Sequence, residues 1–143
     1  MSDRMIFGVL GGGFAIIIVL TVALFVIPAP VSAPTAFKSE NVNIFIPLSG
    51  ATVSKSFKVA GEARGTWYFE ASFPLQVHDA ANNRVGGGLA RAQENWMTEK
   101  FVPFVADVKV GSYSGLATLV LLKDNPSGLP ENDDSVSIPI VIK

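Results

Sequence analysis

From residue 42 onward, apolar and polar side chains alternate in short runs. Val42, Ile44 and Ile46 are separated by Asn43 and Phe45, the period-2 pattern of a strand with one buried face. Phe57, Val59, Gly61 and Ala63 share a second such face, opposite Lys58 and Glu62. Trp67, Phe69, Ala71, Phe73, Leu75 and Val77 alternate with Tyr68, Glu70, Ser72, Gln76 and His78. Pro74 should split that run into two strands or mark a bulge. Asn82 and Asn83 supply a turn, after which residues 84–93 continue as a strand weakened by Gly86, Gly87 and Gly88. Val102, Phe104, Ala106, Val108 and Val110 form the next inward set, opposed by Pro103, Asp107 and Lys109. Residues 111–115 read as a turn, and residues 116–122, apolar on both faces, as a central strand. Residues 124–134, with Pro126, Gly128 and Pro130, should form an ordered surface loop or crossover, and Val136, Ile138, Ile140 and Ile142 close the chain. Seven or eight short strands, without 3.6-residue periodicity after Pro28, predict an all-β antiparallel sandwich.

The N-terminal pattern is different. Residues 6–27 carry no charge and are almost wholly apolar. As a helix they would extend about 33 Å, enough to cross the hydrocarbon core of a bilayer. The chain therefore divides into a short cytoplasmic N-terminus (residues 1–5), a transmembrane helix (6–27), a Pro/Ala/Ser-rich linker (28–41) and a β-sandwich domain (42–143). A secretory signal is the competing reading, with release near Ala33. Signal cores usually run about 7 to 15 apolar residues, so length favours a retained anchor. Arg4, the basic residue ahead of the segment, favours a cytoplasmic N-terminus and an extracytoplasmic domain in a single-pass protein of the cytoplasmic membrane. Gly8 and Gly12 form a small-xxx-small pair, for which simple tolerance in lipid is the default reading. Pro28, Pro30 and Pro34 end the helix and make a semi-rigid stalk.

Composition removes several function classes. Of eleven Lys and Arg and twelve Asp and Glu, only Arg4 and Asp3 precede residue 38, which leaves ten against eleven. No net field is available to gather nucleic acid, so none is expected as a partner. Cysteine is absent, so no disulfide, thiolate nucleophile or thiolate-held metal is available. A single histidine, His78, removes His-pair zinc sites. It falls on the polar parity of its strand beside Asp79 and reads as solvated. Residues 111–115 depart from the esterase nucleophile elbow, because Tyr113 holds the central place. Asp124, Glu131, Asp133 and Asp134 offer oxygen ligands for calcium but lack EF-hand spacing. The Gly86–Gly88 run lacks the lysine and the strand-to-helix context of a phosphate loop. No cofactor, metal site or catalytic set is predicted.

Three segments carry a resemblance: Gly65-Thr-Trp-Tyr-Phe-Glu-Ala-Ser-Phe-Pro74, Trp96-Met-Thr-Glu-Lys-Phe-Val-Pro-Phe104 and Lys123-Asp-Asn-Pro-Ser-Gly-Leu-Pro-Glu131. In this order, the chain from about residue 42 to 143 resembles the immunoglobulin-like domain family of bacterial spore germination proteins. The resemblance implies an immunoglobulin-like antiparallel β-sandwich of about seven strands, preceded here by one transmembrane helix. It also implies a bacterial envelope protein in which the domain is a non-catalytic module, with no catalytic residues to carry over. Many relatives join the domain to a germination or cell-wall-associated one. This chain looks more like the stand-alone, membrane-anchored versions.

The expected partners are the lipid bilayer, through residues 6–27, and an envelope protein or glycan, with a second copy of the chain as a further partner. Tyr68, Glu70 and Trp96 are the candidate contact residues, since an exposed Trp or Tyr can stack on a sugar or anchor a protein. Structural anchoring is the leading reading of Glu70. The lowest-ranked alternative is a cell-wall hydrolase using Glu70 and Glu99. An open edge strand offers another route to assembly.

Overall fold

The computed structural model describes residues 32–143. In them the predicted alternation becomes a curled sheet of nine strands. These are β1 (Thr35–Lys38), β2 (Val42–Ser49), β3 (Thr52–Val53), β4 (Ser56–Arg64), β5 (Ser72–Asp79), β6 (Arg84–Ala92), β7 (Phe101–Val110), β8 (Gly115–Leu122) and β9 (Ser135–Ile142). Their hydrogen-bonded order is β1-β2-β4-β7-β6-β5-β8-β9-β3. Within it, β2-β4-β7-β6 and β5-β8-β9 reproduce the A-B-E-D and C-F-G sheets of an immunoglobulin constant-type domain. The β5–β6 hairpin joins the two halves into one sheet. After β2 the chain switches edges: the Gly50 amide donates to the Pro139 carbonyl at 2.7 Å, and β3 runs parallel to β9.

The two halves of the sheet join through β6, which lies between β5 and β7. A β-carbon on Gly86 or Gly88 would overlap the carbonyl oxygens of Lys109 and Asp107 on β7. The three-glycine run that weakens the strand's intrinsic propensity is thus what lets its neighbours approach.

Inside the curl, the predicted inward residues of β4, β7 and β9 are buried, including Val59, Ala63, Val102, Phe104, Val108, Ile138, Ile140 and Ile142, while Phe57 and Val136 near the strand starts are half-buried. No polar or charged residue is fully buried among the described residues. Each fully buried Val, Leu, Ile or Phe contributes about 1.5–3 kcal/mol, so apolar burial holds the fold without a disulfide or a buried ion pair.

The structure departs from expectation in five places. The strand count is nine, not about seven, because two short edge strands, β1 and β3, were not signalled. β1 also lies inside the segment read as linker, so the sheet starts upstream of residue 42. Ile46 is 49% exposed, since the β2–β4 register shifts between Ile44 and Ile46 and Pro47 takes the inward place. The run from Trp67 is not a strand at its start: Gly65–Trp67 is a 3₁₀ turn, and β5 begins at Ser72. Pro74 does not break β5. It sits opposite Leu89, just before pairing with β8 begins at Leu75. The expected membrane span at residues 6–27 lies outside the described residues. Among those described, no helix is long and apolar enough to cross a membrane.

The β5–β6 turn is tied by one carboxylate. Asp79 Oδ1 accepts the amides of Asn83 at 2.8 Å and Ala81 at 2.9 Å, while Asn82 takes φ 64°. Above all, the Asn83 amide holds the Asp79 carboxyl below its usual pKa. A depressed carboxylate stabilises the fold above its ordinary pKa of about 3.9 and loses that contribution as pH falls through the lower native value. Asp79→Ala should therefore lower the urea midpoint at neutral pH, and its deficit against the parent should shrink steadily below about pH 4. Unfolding curves across that range test this, and a pH-independent deficit would contradict it.

Candidate functional site

Strand alternation sends four connections, residues 39–41, 65–71, 93–100 and 123–134, to one pole of the curled sheet. Three of them contain most of the segments that carry the family resemblance. The chain enters the described domain at the other pole, where Thr35 pairs with Ser49.

The loop pole is built around Gly65. Its amide donates to the Lys100 carbonyl at 3.0 Å. A β-carbon there would overlap the carbonyl oxygens of Thr98 and Trp96, so only glycine lets the 93–100 loop lie on the 3₁₀ turn. Arg64 fastens the flank. Its guanidinium lies 4.1 Å from the centre of the Phe101 ring, and its Nε donates to the Glu40 carbonyl at 3.3 Å. The Asp124 amide donates to the Trp67 carbonyl at 3.0 Å and brings in the third loop. That loop organises itself around Asn125, whose Nδ2 donates to Leu129 O at 2.8 Å and to Asp133 Oδ1 at 2.7 Å. Beneath the pole the Phe73 ring meets Trp67, Tyr68 and Phe104 edge-on, with centroids 5.9, 5.1 and 5.0 Å away.

The three candidate contact residues part company. Tyr68 is only 4% exposed, and its hydroxyl donates to the Val102 carbonyl at 2.6 Å. Burial raises its phenol pKa well above the usual value. It is a core residue with a polar tether, which corrects its reading as an exposed anchor. Trp96 is half-buried and packs against the core. Glu70 is exposed, but in a turn and not on a sheet face.

That turn was invisible in the sequence. Phe69 and Ser72 exchange both backbone hydrogen bonds, at 3.0 and 3.1 Å, around Glu70 at φ 49° and Ala71 at φ 64°. Two-residue turns with both central residues left-handed normally recruit Asn-Gly, because a β-carbon costs about 1–2 kcal/mol in this region. Here Glu-Ala bears that strain.

Glu70 and Glu99 do not form an organised pair. Both are exposed, and neither side chain has a hydrogen-bond partner among the described residues, so nothing in the fold orients them as acid and nucleophile. His78 lies towards the opposite pole, between Asn82 Oδ1 at 3.0 Å and Gln76 Oε1 at 2.8 Å. Among the described residues no cluster of three or more His, Cys, Asp or Glu is arranged to hold a metal.

Sequence reasoning missed two properties of the pole. One is its exposed apolar side chains: Met97 is 74% exposed, Leu129 50% and Phe69 41%. The other is charge. The four connections hold Glu40, Glu70, Glu94, Glu99, Asp124, Glu131, Asp133 and Asp134 but only two basic residues, Lys100 and Lys123. Near-neutral composition hid this segregation. Only Asp124, Glu131, Asp133 and Asp134 fell on a predicted loop, which would have exposed part of it.

Residues 41–128 match the model of a family described as the immunoglobulin-like domain of bacterial spore germination. The match starts beside β2 and ends within the last pole loop, while β9 completes the sheet beyond it. No curated protein and no solved structure matches the chain.

The strained turn gives a direct test of the pole's construction. Replacing Glu70→Asn together with Ala71→Gly should raise the free energy of unfolding by about 1 kcal/mol, after allowing for glycine's greater unfolded-state freedom. Urea unfolding measures it, and a loss of stability would contradict the assigned backbone geometry.

Proposed function

Because this chain belongs to the immunoglobulin-like domain family of bacterial spore germination, we propose that it is a membrane-anchored, extracytoplasmic, non-catalytic module that binds or scaffolds proteins of the bacterial cell envelope. The observation that carries this reading is the loop pole, where three exposed apolar side chains sit on three loops fixed to one another by backbone hydrogen bonds. Apolar side chains gathered on one exposed surface mark interaction sites, whereas ones scattered singly carry no such meaning. Binding loops on a rigid sandwich are also a recurrent use of this architecture. The β4–β5 and β8–β9 connections correspond to the B–C and F–G loops that antibody domains use at one end.

The anchor rests on the uncharged stretch at residues 6–27, and the outward orientation on Arg4. Within the described residues, Thr35 pairs with Ser49 at the pole opposite the loops.

Photo-crosslinking in intact cells tests the reading. A photoreactive amino acid at Met97, in the full-length chain, should capture envelope proteins in the membrane fraction. The same group at Ser112, in the opposite pole, should capture few or none. Equal capture from both positions, or none from Met97, would contradict a binding role for the loop pole.

A further inference from the structure

Two shallow depressions flank the Gly65–Trp67 turn. One, of about 360 Å³, is lined by Thr66, Trp96, Met97 and Thr98 among others. Its neighbour, of about 260 Å³, is lined by Phe69, Asp124, Asn125, Ser127 and Asn132 among others. Both include Thr66 and Tyr68, so the turn is a ridge between two hollows, the second of which also carries Lys123 beside Asp124.

The surroundings are predominantly acidic, with eight carboxylates against Lys100 and Lys123. The sole ion pair among the described residues is Lys58 with Asp107, on the sheet face. None of the eight pole carboxylates therefore has a cationic partner within salt-bridge distance among the described residues. Seven of the eight are exposed, Asp124 being half-buried. No three of them converge to hold a metal.

From this, we propose that the loop pole takes an extended, positively charged segment of a partner protein, seating an apolar side chain beside Met97 and Lys or Arg side chains against the surrounding carboxylates. The inference rests on the binding role proposed above and adds the chemistry of the partner. Met97, the most exposed apolar side chain of the pole, is flexible and polarisable, and such residues adapt to varied protein side chains. Trp96 is half-buried against the core, and Met97, the more exposed side chain beside it, is aliphatic and offers no ring for a sugar to stack on, which favours protein over glycan. The carboxylates would speed encounter and reject acidic segments.

The test uses the full-length chain in nanodiscs of phosphatidylcholine, with empty nanodiscs as blank, and reads fluorescence anisotropy of labelled probes. The probes are Gly-Lys-Lys-Leu-Lys-Lys-Gly, its Ser-for-Leu and Glu-for-Lys analogues, and a chito-oligosaccharide. The Lys-Leu peptide should bind, and each analogue should bind at least about tenfold more weakly. Glu94, Glu99 and Glu131 are exposed and make no side-chain hydrogen bonds among the described residues. A Glu94→Lys, Glu99→Lys, Glu131→Lys variant should thus keep its urea midpoint yet lose about tenfold in affinity and most of the salt dependence. Met97→Ser should remove the preference for Leu over Ser. Equal binding of the Lys and Glu peptides, unchanged affinity in the triple variant, or tighter binding of the chito-oligosaccharide would overturn the proposal. If the peptide fails while Met97 still crosslinks envelope proteins in cells, the partner class is wrong and the binding pole stands. Failure of both removes both.

Discussion

Phe73 is the side chain on which the loop pole and the core of the curled sheet meet. Fully buried at the start of β5, its ring is in edge contact with Trp67, Tyr68 and Phe104. Antibody domains pin their two sheets at this level with a disulfide packed on a tryptophan. With no cysteine in the sequence, aromatic packing ties β5 and β7 to the connection that leaves β4 here. Edge-to-face pairs contribute about 0.5–1.5 kcal/mol each beyond area burial, and three share one ring. The Tyr68 hydroxyl, bonded to the Val102 carbonyl, adds the directional contact that apolar packing lacks.

That cluster explains why the loops above it behave as a surface and not as loose connections. Trp67 is buried below the pole, yet its carbonyl accepts the Asp124 amide. Gly65, two residues earlier, accepts the 93–100 loop against its bare α-carbon. Three connections far apart in sequence thus rest on one 3₁₀ turn whose position is set by the core. The strained Glu70–Ala71 turn persists for the same reason: its ends are closed by Phe69 and Ser72, and the Ala71 carbonyl accepts the Ala92 amide. With its scaffold fixed in this way, the pole can leave Met97, Phe69 and Leu129 in solvent.

How much of this was legible in the sequence depended on whether one side of an element faced the core. β4, β7 and β9 alternate without interruption and bury the expected residues, because a one-residue slip would turn every apolar side chain outward. β2 was legible only to Ile44, beyond which a bulge reversed the parity. β1 offered one half-buried residue, Phe37, too little to show a period. The run from Trp67 was misread because its turn uses Glu and Ala at positive φ, residues that carry no turn signal. The family was legible in three segments and matches over residues 41–128. The pole was not, because its charge and exposed apolar side chains are properties of loops gathered by topology, and composition averages over them.

The central claim is that the aromatic cluster around Phe73 fixes the loop pole. Amide hydrogen exchange in Phe73→Leu, with Ile140→Val as a control core deletion elsewhere, tests it most directly. The prediction is that Gly65 and Asp124, whose amides tie the loops together, lose protection in Phe73→Leu well beyond the loss at Val110 and Val141 in the opposite pole. The control should lack this bias. A uniform loss across both poles, or unchanged protection at Gly65 and Asp124, would contradict the account.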